Sequence, residues 1–118
     1  MKKFIQSFSV AFKGIREAVT SQRNVKIHIA VALITVAAGI YVDLSATEWG
    51  LIAFAIGLVL SAELLNTAIE KLTDLLEPRQ HPLAGTVKDM AAGGVLIAAV
   101  TALIIGVLVF AKYLPVCC

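Results

Sequence analysis

Apolar residues recur at helical spacing from Lys2 to Thr20, at Phe4, Ile5, Phe8, Ala11, Phe12, Ile15 and Val19, while Lys2, Lys3, Gln6, Lys13 and Arg16 occupy much of the remainder. The pattern predicts an amphipathic helix over about 2–20. Its basic side chains suit headgroups and water, so it reads as a helix lying in a membrane interface; packing on a partner explains the same pattern. Ser21 to Lys26 is polar and basic, either a short connector or the first wet turn of the next helix.

Ile27 to Val42 is an apolar run interrupted only by His28 and Thr35. It is slightly short of the roughly 20 residues that cross a bilayer, and the residues before it can extend it. His28, beside Lys26, reads as an interfacial histidine. Asp43 to Glu48 is a tight polar turn in which Ser45 or Thr47 can cap the next helix. Tyr41 and Trp49 flank it where interfacial aromatics belong. A second span is expected over about 49–70, with its helical pattern running on to about Leu76. Glu77-Pro78-Arg79-Gln80-His81-Pro82 breaks it, since proline lacks an amide donor and restricts the residue before it. A third span, about 90–111, contains no ionisable group and closes at Lys112 and Tyr113. Gly93, Gly94 and Gly106, with several alanines, give it faces that let helices approach closely.

The whole is therefore one all-α membrane unit, residues 1–118, with a surface helix and three spans. A share of 59% hydrophobic residues agrees, because a single soluble core of this length could not hide so much apolar surface. A cleavable signal peptide is not expected, as the first apolar run starts only at Ile27 and ends without a clear small-residue cleavage pattern. Basic residues precede the first span and recur at Lys71, Arg79 and Lys88, whereas the turn at Asp43 to Glu48 has none. The positive-inside rule then places the N-terminus and the turn between the second and third spans in the cytoplasm and the C-terminus outside. A net charge of +2 without a basic, aromatic-interleaved stripe gives no reason to expect nucleic acid. Cys117 and Cys118, adjacent at the end, offer neither a disulfide framework nor metal-ligand spacing nor a prenylation signal.

Polar chemistry concentrates between Ser61 and Asp89. On one helix, Glu63, Asn66, Glu70 and Asp74 fall within an arc of about 80°. A carboxylate facing lipid near the membrane centre costs about 2.5 kcal/mol or more, so Glu63 should line a bundle interior or a wet cavity. Phosphoryl transfer needs a metal-neutralised triphosphate, a group that takes up developing charge, and a base on the acceptor hydroxyl. Glu70 and Asp74 are hard oxygen ligands suited to Mg²⁺, and Lys88 can hold a phosphate. Glu63 lies deeper than Glu70 by about 10 Å of helix, a depth that suits a hydroxyl anchored at a lipid headgroup. Neither a Walker A pattern nor a Gly-rich kinase loop with its companion signatures occurs.

These residues resemble the small bacterial integral-membrane lipid kinases, diacylglycerol kinase and undecaprenol kinase. The matching text is E-x-x-N-[ST]-A-I-E-x-x-x-D at Glu63, Asn66, Thr67, Ala68, Ile69, Glu70 and Asp74, then H-x-L at His81 and Leu83, then Lys88 and Asp89. Lys13-Gly14-Ile15-Arg16 and the order of surface helix and three spans also resemble the family, which covers nearly the whole chain. The resemblance implies a homotrimer in the bacterial cytoplasmic membrane, with ATP sites shared between protomers at the cytoplasmic surface and Mg²⁺ as cofactor. It makes Glu63 the catalytic base, Asn66 its supporting amide, Glu70 the metal-linked ATP carboxylate, Lys88 and Asp89 a phosphate-site pair, and His81 a nucleotide contact. Lys13 and Arg16 would join Glu63 in contacting the lipid. Gln22 stands where the family usually carries a glutamate at the ATP and metal site, and an amide is a poorer, neutral ligand for a cation. The wording around Asn66 and His81 is nearer the undecaprenol branch; diacylglycerol is the alternative acceptor.

Two other classes account for less. A proton-coupled transporter would use Glu63 as an intramembrane carrier but leaves the cluster of Glu70, Asp74, Lys88 and Asp89 without a purpose. An assembly subunit packed through its small residues leaves the whole stripe unexplained.

Overall fold

The computed structural model describes residues 1–77, 79 and 81–115. Of the residues singled out above, Pro78, Gln80, Cys117 and Cys118 lie outside these. The described residues form four helices, α1 (Lys2–Ser21), α2 (Arg23–Val42), α3 (Ala46–Leu76) and α4 (Pro82–Phe110), and a closing 3-10 turn, Ala111–Tyr113. Three of them, α2, α3 and α4, are long and apolar enough to cross a membrane.

Only Gln22 separates α1 from α2, so Arg23 to Lys26 are the first turn of α2 rather than a connector. The turn from α2 to α3 is set by two local devices. Asp43 adopts a left-handed conformation at φ 60° and ψ 63°, while the amides of Leu44 and Asp43 reach back to the carbonyls of Gly39 and Ile40 at 3.2 and 3.3 Å. That pairing satisfies carbonyls left open at a helix end. Ser45 then opens α3 with a reciprocal capping box: its Oγ accepts from the Glu48 amide at 3.2 Å, and Glu48 Oε1 accepts from the Ser45 amide at 2.9 Å.

The same Glu48 Oε1 accepts from the Tyr113 hydroxyl at 2.7 Å, and Oε2 pairs with Lys112 Nζ at 2.9 Å. The start of α3 is thereby tied to the end of α4. Beneath this tie, Leu44, Ile52 and Val109 are buried, with Trp49, Ile56, Ile105 and Phe110 packed against them. Trp49, expected as an interfacial aromatic, turns inward to this cluster, whereas Tyr41 is exposed. Away from it, α2, α3 and α4 present Leu33, Ile34, Phe54, Ile97 and Leu108 outward. Such side chains would be costly in water and cost nothing in lipid.

The third span, expected from about residue 90, begins at Pro82. Proline suits the first helical position because its missing amide would have had no partner there, and His81 caps the helix, its Nδ1 accepting from the Leu83 amide at 3.1 Å. Lys88 and Asp89 therefore stand on a helix, not on a loop. At 31 residues, α3 also exceeds the expected second span; about 46 Å of helix outreaches a hydrocarbon core of about 30 Å. One end of α3 must project from the membrane.

Candidate active site

The polar stripe lies on α3 as one unbroken helix. Glu63 is 2% exposed, and Asn66 and Thr67 are 8% each; Glu70, one turn on, is half-buried, and Asp74 is exposed. Asn66 Nδ2 donates to Glu70 Oε1 at 3.3 Å, which orients the amide along the stripe. Its other end is open: Asn66 Oδ1 and Glu63 Oε2 are both buried without a hydrogen-bond partner. Orphaned acceptors of this kind are rare in folded chains and call for a ligand, ion or water. A donor such as an alcohol hydroxyl would satisfy Glu63, and a cation or a water would satisfy Asn66.

Asp74 pairs with Lys88 of α4, joining the two helices across the turn. Asp89 is exposed, and the ion-pair partner of Lys88 among the described residues is Asp74. His81 is exposed at the start of α4, seven residues before Lys88. With Nδ1 occupied as an acceptor, a neutral His81 keeps its proton on Nε2, from which it can donate outward. Gln22 is half-buried at the joint of α1 and α2, and its side chain makes no capping bond to α2. Among the described residues, Gln22 forms no hydrogen bond with Glu70. Lys13 and Arg16 are exposed on α1 and form no ion pair among the described residues.

No three His, Cys, Asp or Glu side chains converge on a metal position among the described residues. Glu70 nonetheless accepts from Asn66 Nδ2, and the same amide carries the unpartnered Oδ1. Few protein oxygens suffice for Mg²⁺, which keeps several waters and is held by one or two carboxylates together with substrate phosphates. The donor set fits such an ion.

Two clusters went unnoticed in the sequence. Lys71, next to Glu70, pairs with Glu17 of α1 at 3.7 Å; the signal was a lone acid in an otherwise basic helix. The Glu48 tie to Lys112 and Tyr113 carried the S-x-x-E signature of a capping box, but its long-range half had no local sign. Between α2, α3 and α4 runs an apolar groove of about 590 Å³ that reaches Leu60, one turn before Glu63.

Residues 9–110 match the family described as prokaryotic diacylglycerol kinase. The chain is 44% identical over 110 residues to undecaprenol kinase of Bacillus subtilis (strain 168), covering 93% of this chain and 89% of that protein. It is 40% identical over 101 residues to a diacylglycerol kinase of Synechocystis, covering 85% of this chain and 58% of the other. With the diacylglycerol kinase of Escherichia coli (strain K12) it shares 30% identity over 102 residues, 86% of this chain and 84% of that one.

Proposed function

Because the chain belongs to the prokaryotic diacylglycerol kinase family, we propose that it transfers the γ-phosphoryl group of ATP to the hydroxyl of a membrane lipid alcohol, with undecaprenol as the acceptor ahead of diacylglycerol. The observation that carries this reading is Glu63: a buried carboxylate oxygen without a donor, on the same helical stripe as the Asn66 and Glu70 pair.

In this mechanism Glu63 accepts the proton of the lipid hydroxyl as that oxygen attacks the γ-phosphorus. The bond from the γ-phosphorus to the β,γ-bridging oxygen breaks, and ADP leaves with it. Asn66 holds Glu70 and lies between it and Glu63, so one helix face aligns acceptor and donor. Glu70, with Gln22 as a neutral neighbour, would hold Mg²⁺ against the phosphates. The ion, when bound, neutralises charge on the triphosphate. Lys88, held by Asp74, faces the phosphates together with Asp89, and His81 donates to the nucleotide from Nε2. Lys13 and Arg16 meet the lipid headgroup region from α1, whose exposed Phe4, Phe8 and Phe12 enter the interface. The groove ending near Glu63 suits a long acceptor tail.

The remaining assignments follow the same reading. Residues 1–118 form a single domain, in the bacterial cytoplasmic membrane, with α1 and the turn between α3 and α4 in the cytoplasm and the C-terminus outside. Three copies assemble with sites between them. A diacylglycerol acceptor is the second reading, favoured by the relatives that bear that name.

Offering ATP and a mixed bacterial lipid extract to the purified protein tests the proposal by the mass of the product. A polyprenyl phosphate is expected. Phosphatidic acid would move the acceptor to diacylglycerol, and ATP consumption indifferent to any lipid alcohol would overturn the kinase assignment.

A further inference from the structure

Glu17 and Lys71 form the one ion pair between α1 and α3 among the described residues, and neither belongs to the site assigned above. Glu17 adjoins Ala18, the only buried residue of α1. Lys71 follows Glu70 and stands one turn beyond the buried Thr67. Between the helices is a recess of about 280 Å³ lined by Ala11, Gly14, Ala18, Leu64 and Thr67 among others. On the α1 side of that recess Ala11, Gly14 and Ala18 stand beside Ile15 and Glu17, and a side-chain carbon added at Gly14 would meet nothing within 4 Å. Shape alone therefore does little to stop α1 from sliding over α3.

We propose that Glu17 and Lys71 are positioning residues that seat α1 over α3 at Leu64 and Thr67, the sequence neighbours of Glu63 and Asn66, and thereby govern how the acceptor hydroxyl is presented to Glu63. The functional half of this rests on the lipid kinase reading; the seating of α1 does not. Both side chains are more than half exposed, Lys71 at 54% and Glu17 at 67%. Exposed pairs contribute little to global stability. A helix resting on few other contacts is where a small bias between two seats is felt.

The test is a charge exchange. Glu17→Lys, Lys71→Glu and the double exchange are compared for lipid KM, ATP KM and kcat, and for cross-linking by a short bis-maleimide between Gly14→Cys and Leu64→Cys, which face each other across the recess, in a chain with Cys117 and Cys118 replaced by serine. Each single reversal is expected to raise lipid KM by about two- to fivefold, to leave ATP KM unchanged and to lower cross-linking. The double exchange should restore both. A double exchange as impaired as the singles, or lipid KM and cross-linking unmoved by every variant, overturns the pair. Should the unaltered chain phosphorylate no lipid alcohol, the kinase reading fails separately: cross-linking lost in the singles and regained in the double still upholds the seat, and cross-linking indifferent to charge overturns it.

Discussion

Glu63 holds a carboxylate oxygen that is buried and unpartnered, and such a group is stable only if its lost hydration is returned by something that binds there. Glu63→Gln keeps the shape and removes the ability to accept a proton. Turnover should fall by about 10² to 10⁴, the usual worth of general-base assistance, with the fold and ATP affinity retained; a variant that keeps most of its activity in lipid micelles would remove Glu63 from the chemistry. The stripe was legible because a helix repeats on a fixed period, so spacing alone put Glu63, Asn66 and Glu70 on one face. The bond between Asn66 and Glu70 is a four-residue step on that face. By contrast, Lys88 with Asp74 and Lys71 with Glu17 join different helices, and no local period reports which helices meet. Gln22 makes the second prediction at this scale. Hard-cation affinity follows the charge count of the ligands, so Gln22→Glu should lower the Mg²⁺ concentration that gives half-maximal activity. Superimposable Mg²⁺ titrations at fixed free ATP would show that Glu70 and the phosphates hold the ion unaided.

Helices were readable as elements, while their ends depended on caps. Arg23 joins α2 because a single extended residue, Gln22, is enough to separate it from α1; hydropathy, which rises only at Ile27, could not register that. Pro82 reads as a breaker of the helix before it and serves as the first residue of the helix after it, an ambiguity inherent in proline at a boundary. The turn between α2 and α3 admits the most pointed test. Gly39 is buried, and a side-chain carbon placed there would stand 2.7 Å from Trp49 Cη2 and 2.8 Å from Leu44 Cδ1. Leu44 can give way by rotation, but the indole is rigid and packed. Gly39→Ala should therefore overpack the corner and lower stability by about 1–3 kcal/mol. Thermal unfolding followed by Trp49 fluorescence reads it directly, since Trp49 is the only tryptophan. An unchanged midpoint and emission maximum would mean that the two helices approach each other less closely than described.

At the scale of the molecule, one chain alone leaves its spans unfinished. Burial concentrates in the cluster of Leu44, Ile52 and Val109 and in the polar stripe of α3. Along α2 and α4 most side chains face outward, as lipid permits and as neighbouring copies of the chain would also permit. Small residues on α4, Gly93 and Gly94 among them, are the kind that let membrane helices close on one another. If three copies associate and each site draws residues from two of them, then variants disabled on different sides of the site must complement. Glu63→Gln and Lys88→Ala, each inactive or nearly so as a homotrimer, are the pair to combine, because they lie on separate helices and serve acceptor and donor respectively. Produced together in equal amounts in one membrane, random mixing leaves about a quarter of the shared sites with both residues intact, and activity should recover to about that share of the unaltered protein. A site contained within one chain yields no such recovery, since every chain lacks one of the two residues. The ion pair of Lys88 with Asp74 within the same chain makes this outcome informative in either direction: recovery means that Lys88 serves a Glu63 across a subunit boundary, and its absence from a membrane where cross-linking shows trimers means that Lys88 and Glu63 of one chain act in the same site.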